Sequence, residues 1–303
     1  MSHTNAQQEK NSAALSSVLF AVGLTTFKII VGLLTNSLGI LAEAAHSALD
    51  LVAALMTLFA VRMSDKPADK EHNFGHGKIE NLSALFETIL LLATSAWIIH
   101  EAIDRLFFTK AEVEVSIWSF IVMGTSIVID YTRSRILYRA ARKYNSQALE
   151  ADALHFSTDI WSSSVVILGL VGVSLARSIP GLGWMSEADA VAAMAVALIV
   201  IFISGELGWR TINALLDAAP KGMTEKIRAN VGKMKGIHDC HAIRIRPSGA
   251  IWFVDLHVTM DGDATLNEVH EMTEKIEKRV HRLLPRSDVT VHVEPPEMAE
   301  TRT

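Results

Sequence analysis

Apolar positions gather into long runs before about residue 212 and into short alternating stretches after Pro220. A helix of about 20 apolar residues crosses the roughly 30 Å hydrocarbon core of a bilayer. The runs predict six such spans, at residues 13–34, 38–62, 79–107, 114–138, 148–176 and 187–209. The first follows a polar stretch with no small-residue cleavage site after it, which predicts an uncleaved membrane segment. After Pro220 the periods shorten. Residues 223–235 and 266–284 read as amphipathic helices, and 242–246, 251–260 and 288–294 as strands. This αββαβ order predicts a small α+β domain. The expected division is a polar tail (1–12), an all-α six-helix transmembrane domain (13–212), a linker (213–219), a cytoplasmic domain (220–295) and a short tail (296–303).

Composition supports the membrane reading. Half of the 303 residues are hydrophobic and only 20% are charged, against about a quarter in soluble domains. Such a chain is not disordered. A single cysteine, Cys240, excludes a disulfide scaffold and a thiolate zinc cluster. A net charge of −5 and a pI near 6.2 offer no footprint for nucleic acid. Bases and acids balance after Pro220, so the whole negative excess lies in the apolar part. Acids inside membrane segments are expensive and mark function. Lys and Arg set orientation. Arg62, Lys66, Lys70 and Lys78, with Arg133, Arg135, Arg139, Arg142 and Lys143, lie on one side; Arg105, Lys110 and Arg177 lie on the other. Both termini are therefore expected in the cytoplasm.

The second span carries Glu43-x-x-His46-x-x-x-Asp50, and the fifth carries Asp152-x-x-His155-x-x-x-Asp159. Positions i and i+4 share a helix face, so each His stands beside its Asp. Two such helices supply two nitrogens and two oxygens, which suits tetrahedral Zn²⁺. Fe²⁺, Mn²⁺ and Mg²⁺ prefer more ligands or more oxygen. Both motifs fall about 10–12 Å into the core from opposite sides, at 1.5 Å per residue. Recurrence three spans apart resembles an inverted repeat, the architecture that places midplane transport sites. Four protein ligands leave no open position for water, which favours transport over hydrolysis. The loop before the third span offers Asp69-x-x-His72-x-x-x-His76, a second metal-ligand pattern.

These residues carry a resemblance. HSALD (46–50), PADKEHNFGHGK (67–78), ADALHFSTD (151–159) and LLDAAP (215–220), with the histidines of the last domain, resemble the cation diffusion facilitators, close to the bacterial zinc and iron efflux members. The resemblance runs from about residue 13 to 295. It implies a homodimer in the bacterial inner membrane, each protomer joining six helices to a ferredoxin-like cytoplasmic domain, and exchange of divalent metal for protons. It makes His46, Asp50, His155 and Asp159 the transport site. Some members have Asp where this chain has His46; the His version resembles the more zinc-selective branch. Asp69, His72 and His76 match a peripheral metal site, and Lys78 and Asp217 a charged pair that locks the dimer.

In the cytoplasmic domain, period-two alternation turns Val254, Leu256 and Val258, and Val289, Val291 and Val293, to one face. His257, His292 and Glu294 fall on the other. Counting back from Ser248-Gly249, the family's first cytoplasmic ligand matches His241 rather than His238; His257, His270 and His292 follow, and Glu294 stands where the family has Asp. Zn²⁺ is thus expected as substrate and as regulatory ligand. Export of Fe²⁺, Cd²⁺, Co²⁺ or Mn²⁺ is the alternative within the class. A membrane metal sensor and an intramembrane metalloenzyme are the alternatives outside it. His100-Glu101-x-x-Asp104 and His270-Glu271-x-x-Glu274 imitate the zinc-protease helix but lack its second His.

Overall fold

The computed structural model describes residues 3–107, 116–178 and 185–296. Expected loop base Lys110 and the tail from 297 lie outside them. The chain divides into two compact units: Met1–Asp65 with Ile79–Thr211, and Lys66–Lys78 with Ile212–Thr303.

The first unit is helical. Its elements are α1 (His3–Thr35), α2 (Leu38–Ser64), α3 (Lys78–Phe107), α4 (Ile117–Tyr144), α5 (Gln147–Ser178) and α6 (Met185–Leu215). Among the described residues four of them, α1, α2, α3 and α6, are long and apolar enough to cross a membrane. In α4, Asp130, Arg133, Arg135, Arg139, Arg142 and Lys143 dilute the apolar run. The Ser37 and Ser116 hydroxyls accept from backbone amides to open α2 and α4, and Asn145 closes α4 in the left-handed conformation. Helix α1 begins ten residues before the expected span. The polar stretch contains no helix breaker, and its one base is drawn inward. Lys10 Nζ lies 2.7 Å from Asp65 and 3.0 Å from Glu80, with Lys10 and Glu80 both buried.

The core of this unit joins α1, α2, α4 and α5 through Ala14, Val18, Ala54, Leu58, Leu137, Ala141, Ala148, Ala153 and Phe156. Small side chains let helix backbones approach closely where lipid removes the hydrophobic drive. The α2 and α5 segments bearing the two His-Asp motifs belong to this close-packed group.

In the second unit, α7 (Met223–Val231) precedes β1 (Asp239–Ser248), β2 (Ile251–Thr259), α8 (Leu266–Leu283) and β3 (Ser287–Glu294). The order along the chain is αββαβ. The sheet runs β1-β2-β3, antiparallel between the first pair and parallel between the second. A capping box between Thr265 and Glu268 opens α8. Val254, Leu256 and Val258 are fully buried, and pack with Ile227, Val231, Ile276 and Val280 of the two helices. A bulge between His241 and Arg244, with Ala242 at φ 47°, interrupts the ladder.

Cys240 is buried in this core. Burial pushes its thiol up to about 11, and the Asp239 carboxylate acts in the same direction. The thiolate is the nucleophile. Iodoacetamide at pH 8 is therefore expected to leave the native protein unlabelled and to label Cys240 fully after denaturation, as read by intact mass.

Candidate metal centres

Among the described residues three groups of donors converge, each within one unit. The first lies between α2 and α5. His155 Nε2 stands 3.1 Å from Asp50 Oδ1 and 3.7 Å from Asp159 Oδ2. His46 Nε2 stands 3.9 Å from both Asp50 Oδ1 and Asp159 Oδ1. Donor atoms of Asp50, His155 and Asp159 fit within 4.8 Å of one another. Asp50 and His155 are buried, while the His46 side chain is partly exposed. Asp159 Oδ2 and His155 Nδ1 are buried without a hydrogen-bond partner. An unpaired buried polar atom costs about 1–3 kcal/mol, so the Asp159 oxygen is suited to a ligand held on the Nε2 side of His155.

The second group is the 66–78 loop. The Asp69 carboxylate accepts from the amides of His72 at 2.6 Å and Glu71 at 2.9 Å. Those amides, His72's foremost, hold it below the usual carboxylate range. Its oxygens lie 3.3 Å from His72 Nδ1 and 3.4 Å from His76 Nε2. Gly75, at φ 73°, makes the turn that returns His76 to Asp69. The loop is clamped on the β1–β2 hairpin. The Arg246 guanidinium lies 3.7 Å over the Phe74 ring, and Phe74 meets Phe253 edge-on. The backbone of Gly77 touches that of Ser248. A Cβ there would come within 2.3 Å of the Ser248 carbonyl oxygen. Gly77→Ala is expected to destabilise this contact by about 1–3 kcal/mol, the usual range for overpacking. Faster tryptic cleavage at Lys70 is the readout; unchanged cleavage would show that the backbone shifts without loss.

The third group sits on the sheet. His241 pairs with His257, and His257 with His292, across the three strands. Glu294 Oε1 lies 3.0 Å from His257 Nδ1 and 3.3 Å from His292 Nε2, and Oε2 lies 3.4 Å from His241 Nε2. His270 is not brought to this group. It is exposed on α8 with Glu274 as neighbour at 3.8 Å. His238 turns to Asp261 at 2.8 Å. Lys78 and Asp217 meet at 2.8 Å, and Lys78 Nζ also donates to the Leu215 carbonyl.

The family of cation efflux transmembrane domains matches residues 14–216, two thirds of the chain, and the cation efflux protein cytoplasmic domain matches 219–296. The chain belongs to the cation efflux family. Its members are transporters rather than enzymes, so this is an integral membrane transporter. The cation-efflux pump FieF of Salmonella arizonae is 29% identical over 93% of this chain and 92% of its own. That of Klebsiella pneumoniae is 30% identical over the same shares. Among solved structures, the metal-bound C-terminal domain of the CzcD transporter from Thermotoga maritima is 34% identical. It covers 24% of this chain and 86% of that one, with a TM-score of 0.23.

Behind the first donor group this cation efflux protein carries a buried polar network that the motifs do not reveal. Lys28 Nζ donates to Ser47 Oγ at 2.8 Å and to Glu43 at 3.3 Å, while Thr25 bonds the Ser47 carbonyl. Arg133, read above as a surface base, is buried instead. It contacts Asp130 at 3.3 Å and Ser17 at 3.2 Å, and its guanidinium lies 3.4 Å over Phe156. Ser17 in turn donates to Asp152 at 3.2 Å. Glu87 is buried and bonded to Thr57. Glu43 and Asp152, though in register with the motifs, are therefore turned to other partners. The sequence signal for this network is isolated ionisable residues inside apolar runs, which helical periodicity alone does not pair.

Proposed function

We propose that this protein exports Zn²⁺ from the cytoplasm in exchange for protons, by alternating access. The substrate site is His46, Asp50, His155 and Asp159. The observation that carries the reading is their convergence from two helices, with His155 Nε2 turned to both carboxylates and Asp159 Oδ2 buried without a hydrogen bond. Two imidazole nitrogens and two carboxylate oxygens suit tetrahedral Zn²⁺. Binding needs neutral imidazole and ionised carboxylate, so metal and protons compete for the same atoms. A more acidic outer side thus aids release, and inward proton flow resets the site. Histidine titrates near neutral pH, which suits the exchange.

In this reading all six long helices span the bacterial inner membrane, and both termini are cytoplasmic. The surface bases at residues 62–78 and 135–143 support that orientation even with Arg133 removed. The domain from 220 to 295 is ferredoxin-like and joins two protomers, with the Lys78–Asp217 pair beside it. Asp69, His72 and His76 form a loop site. His241, His257, His292 and Glu294 form a cytoplasmic site, from which His270 stands apart on α8. Metal at these sites favours one arrangement of the dimer, which requires different affinity in two states.

The test is Zn²⁺ uptake into proteoliposomes under an imposed pH gradient. Gradient-dependent uptake supports the exchanger. Binding without flux would make the protein a sensor, and flux of Fe²⁺, Cd²⁺, Co²⁺ or Mn²⁺ in preference to Zn²⁺ would change the substrate.

A further inference from the structure

Helices α4 and α5 enclose an open groove of about 500 Å³ on the face of the helical unit away from the substrate site. One wall is basic and aromatic, with Tyr131, Arg135, Tyr138 and Arg139 on α4. The other, on α5, includes Leu154 and Ile160. On a helix, 153, 154, 157 and 160 fall on the side opposite 155 and 159, so the groove lies behind the substrate-site residues of α5. The Ser134 hydroxyl bonds the Ala153 carbonyl at 2.8 Å and fixes its floor.

The charges in the groove are uncompensated. Lys10, Lys28, Arg133, Lys143 and Arg210 of this unit each meet a carboxylate. Among the described residues no carboxylate pairs with Arg135, Arg139 or Arg142. Tyrosines take that place. Arg135 donates to Tyr131 Oη at 3.0 Å, and Arg142 to Tyr138 Oη at 3.1 Å while lying over its ring. These contacts hold the guanidinium groups against the helix and leave their remaining N–H donors exposed. A basic pocket between membrane helices matches an anionic lipid headgroup, and guanidinium forks match phosphate geometry.

We infer that this groove binds an anionic phospholipid, its phosphodiester on Arg135 and Arg139 and an acyl chain along Leu154 and Ile160. Positive-inside bias alone accounts for basic residues at a helix end. It does not account for a cleft that sets them against an apolar wall. The inference rests on the membrane location of the helical unit and not on which metal it carries.

The experiment reads lipid binding, independently of transport. Full-length protein is equilibrated with mixed phosphatidylglycerol and phosphatidylcholine, and retained lipid is counted by native mass spectrometry. Wild type is expected to prefer phosphatidylglycerol. Arg135→Gln/Arg139→Gln is expected to reduce that preference about 30-fold, from about fivefold per basic residue near the surface. An unchanged preference would overturn the proposal. So would displacement by millimolar inorganic phosphate, which would make the groove a phosphate site. A photoactivatable phosphatidylglycerol on the unsubstituted protein covers the case of a poorly folded variant. Adducts are expected in 131–139 and 153–160, and adducts spread over all helices would refute it.

Discussion

Asp159→Ala is expected to abolish gradient-driven Zn²⁺ flux and to weaken zinc binding at the α2–α5 site by more than about 100-fold. Removing a mere supporting group around a metal typically costs 10–100-fold, and Asp159 is proposed as a direct donor. It is also the residue whose Oδ2 is buried without a hydrogen bond. Its removal leaves His46 and His155 facing only Asp50. Asp159→Asn, which keeps shape and loses charge, is expected to fail almost as completely. Both are checked by flux in proteoliposomes, and by calorimetric titration in a background where Asp69→Ala and Glu294→Ala silence the other two groups. Retained flux in Asp159→Ala would move the pathway elsewhere.

Arg133→Met is expected to be the most destabilising single change in the helical unit, by about 3–5 kcal/mol. That is the range for breaking a buried ion pair by removing one partner. The loss leaves Asp130 without its 3.3 Å contact and the Ser17–Asp152 chain without its cation. It also removes the guanidinium from the Phe156 ring, whose edge meets His155. Asp130→Leu added to Arg133→Met is expected to recover part of the loss, because a paired charge replaced on both sides leaves fewer uncompensated atoms. The check is a double-mutant cycle on unfolding midpoints in detergent. Additive losses would show that Asp130 and Arg133 are not coupled.

How much of this was legible in advance differs element by element. Helix positions follow from apolar run length, but α1 begins ten residues early and α4 and α6 each end six residues late, because polar residues extend a helix past its apolar run. The first dozen residues looked like a solvated tail because they are polar, yet Lys10 is enclosed by Asp65 and Glu80 from α2 and α3. Arg133 looked like a surface base for the same reason. The carboxylates that enclose Lys10 lie 55 and 70 residues away and the Ser17 hydroxyl on Arg133 lies 116 away, which leaves no local pattern; Asp130, three residues from Arg133, is the local partner. The His-x-x-x-Asp spacing on α2 and α5 did predict shared helix faces, since that is a property of 3.6 residues per turn.

The amino-acid sequence by itself determined the helix and strand order, the membrane character, and the two His-Asp faces, because each is a matter of local period and side-chain transfer energy. The tertiary structure alone decided what those faces meet. It brought His155 to Asp50 across α2 and α5, and sent Glu43 and Asp152 to Lys28 and Ser17 instead. It aligned His241 with His257 ahead of the bulge at Ala242 while leaving His270 apart on α8. Donor distances of 3–4 Å are set by helix crossing and strand register, which depend on packing between segments far apart in the chain.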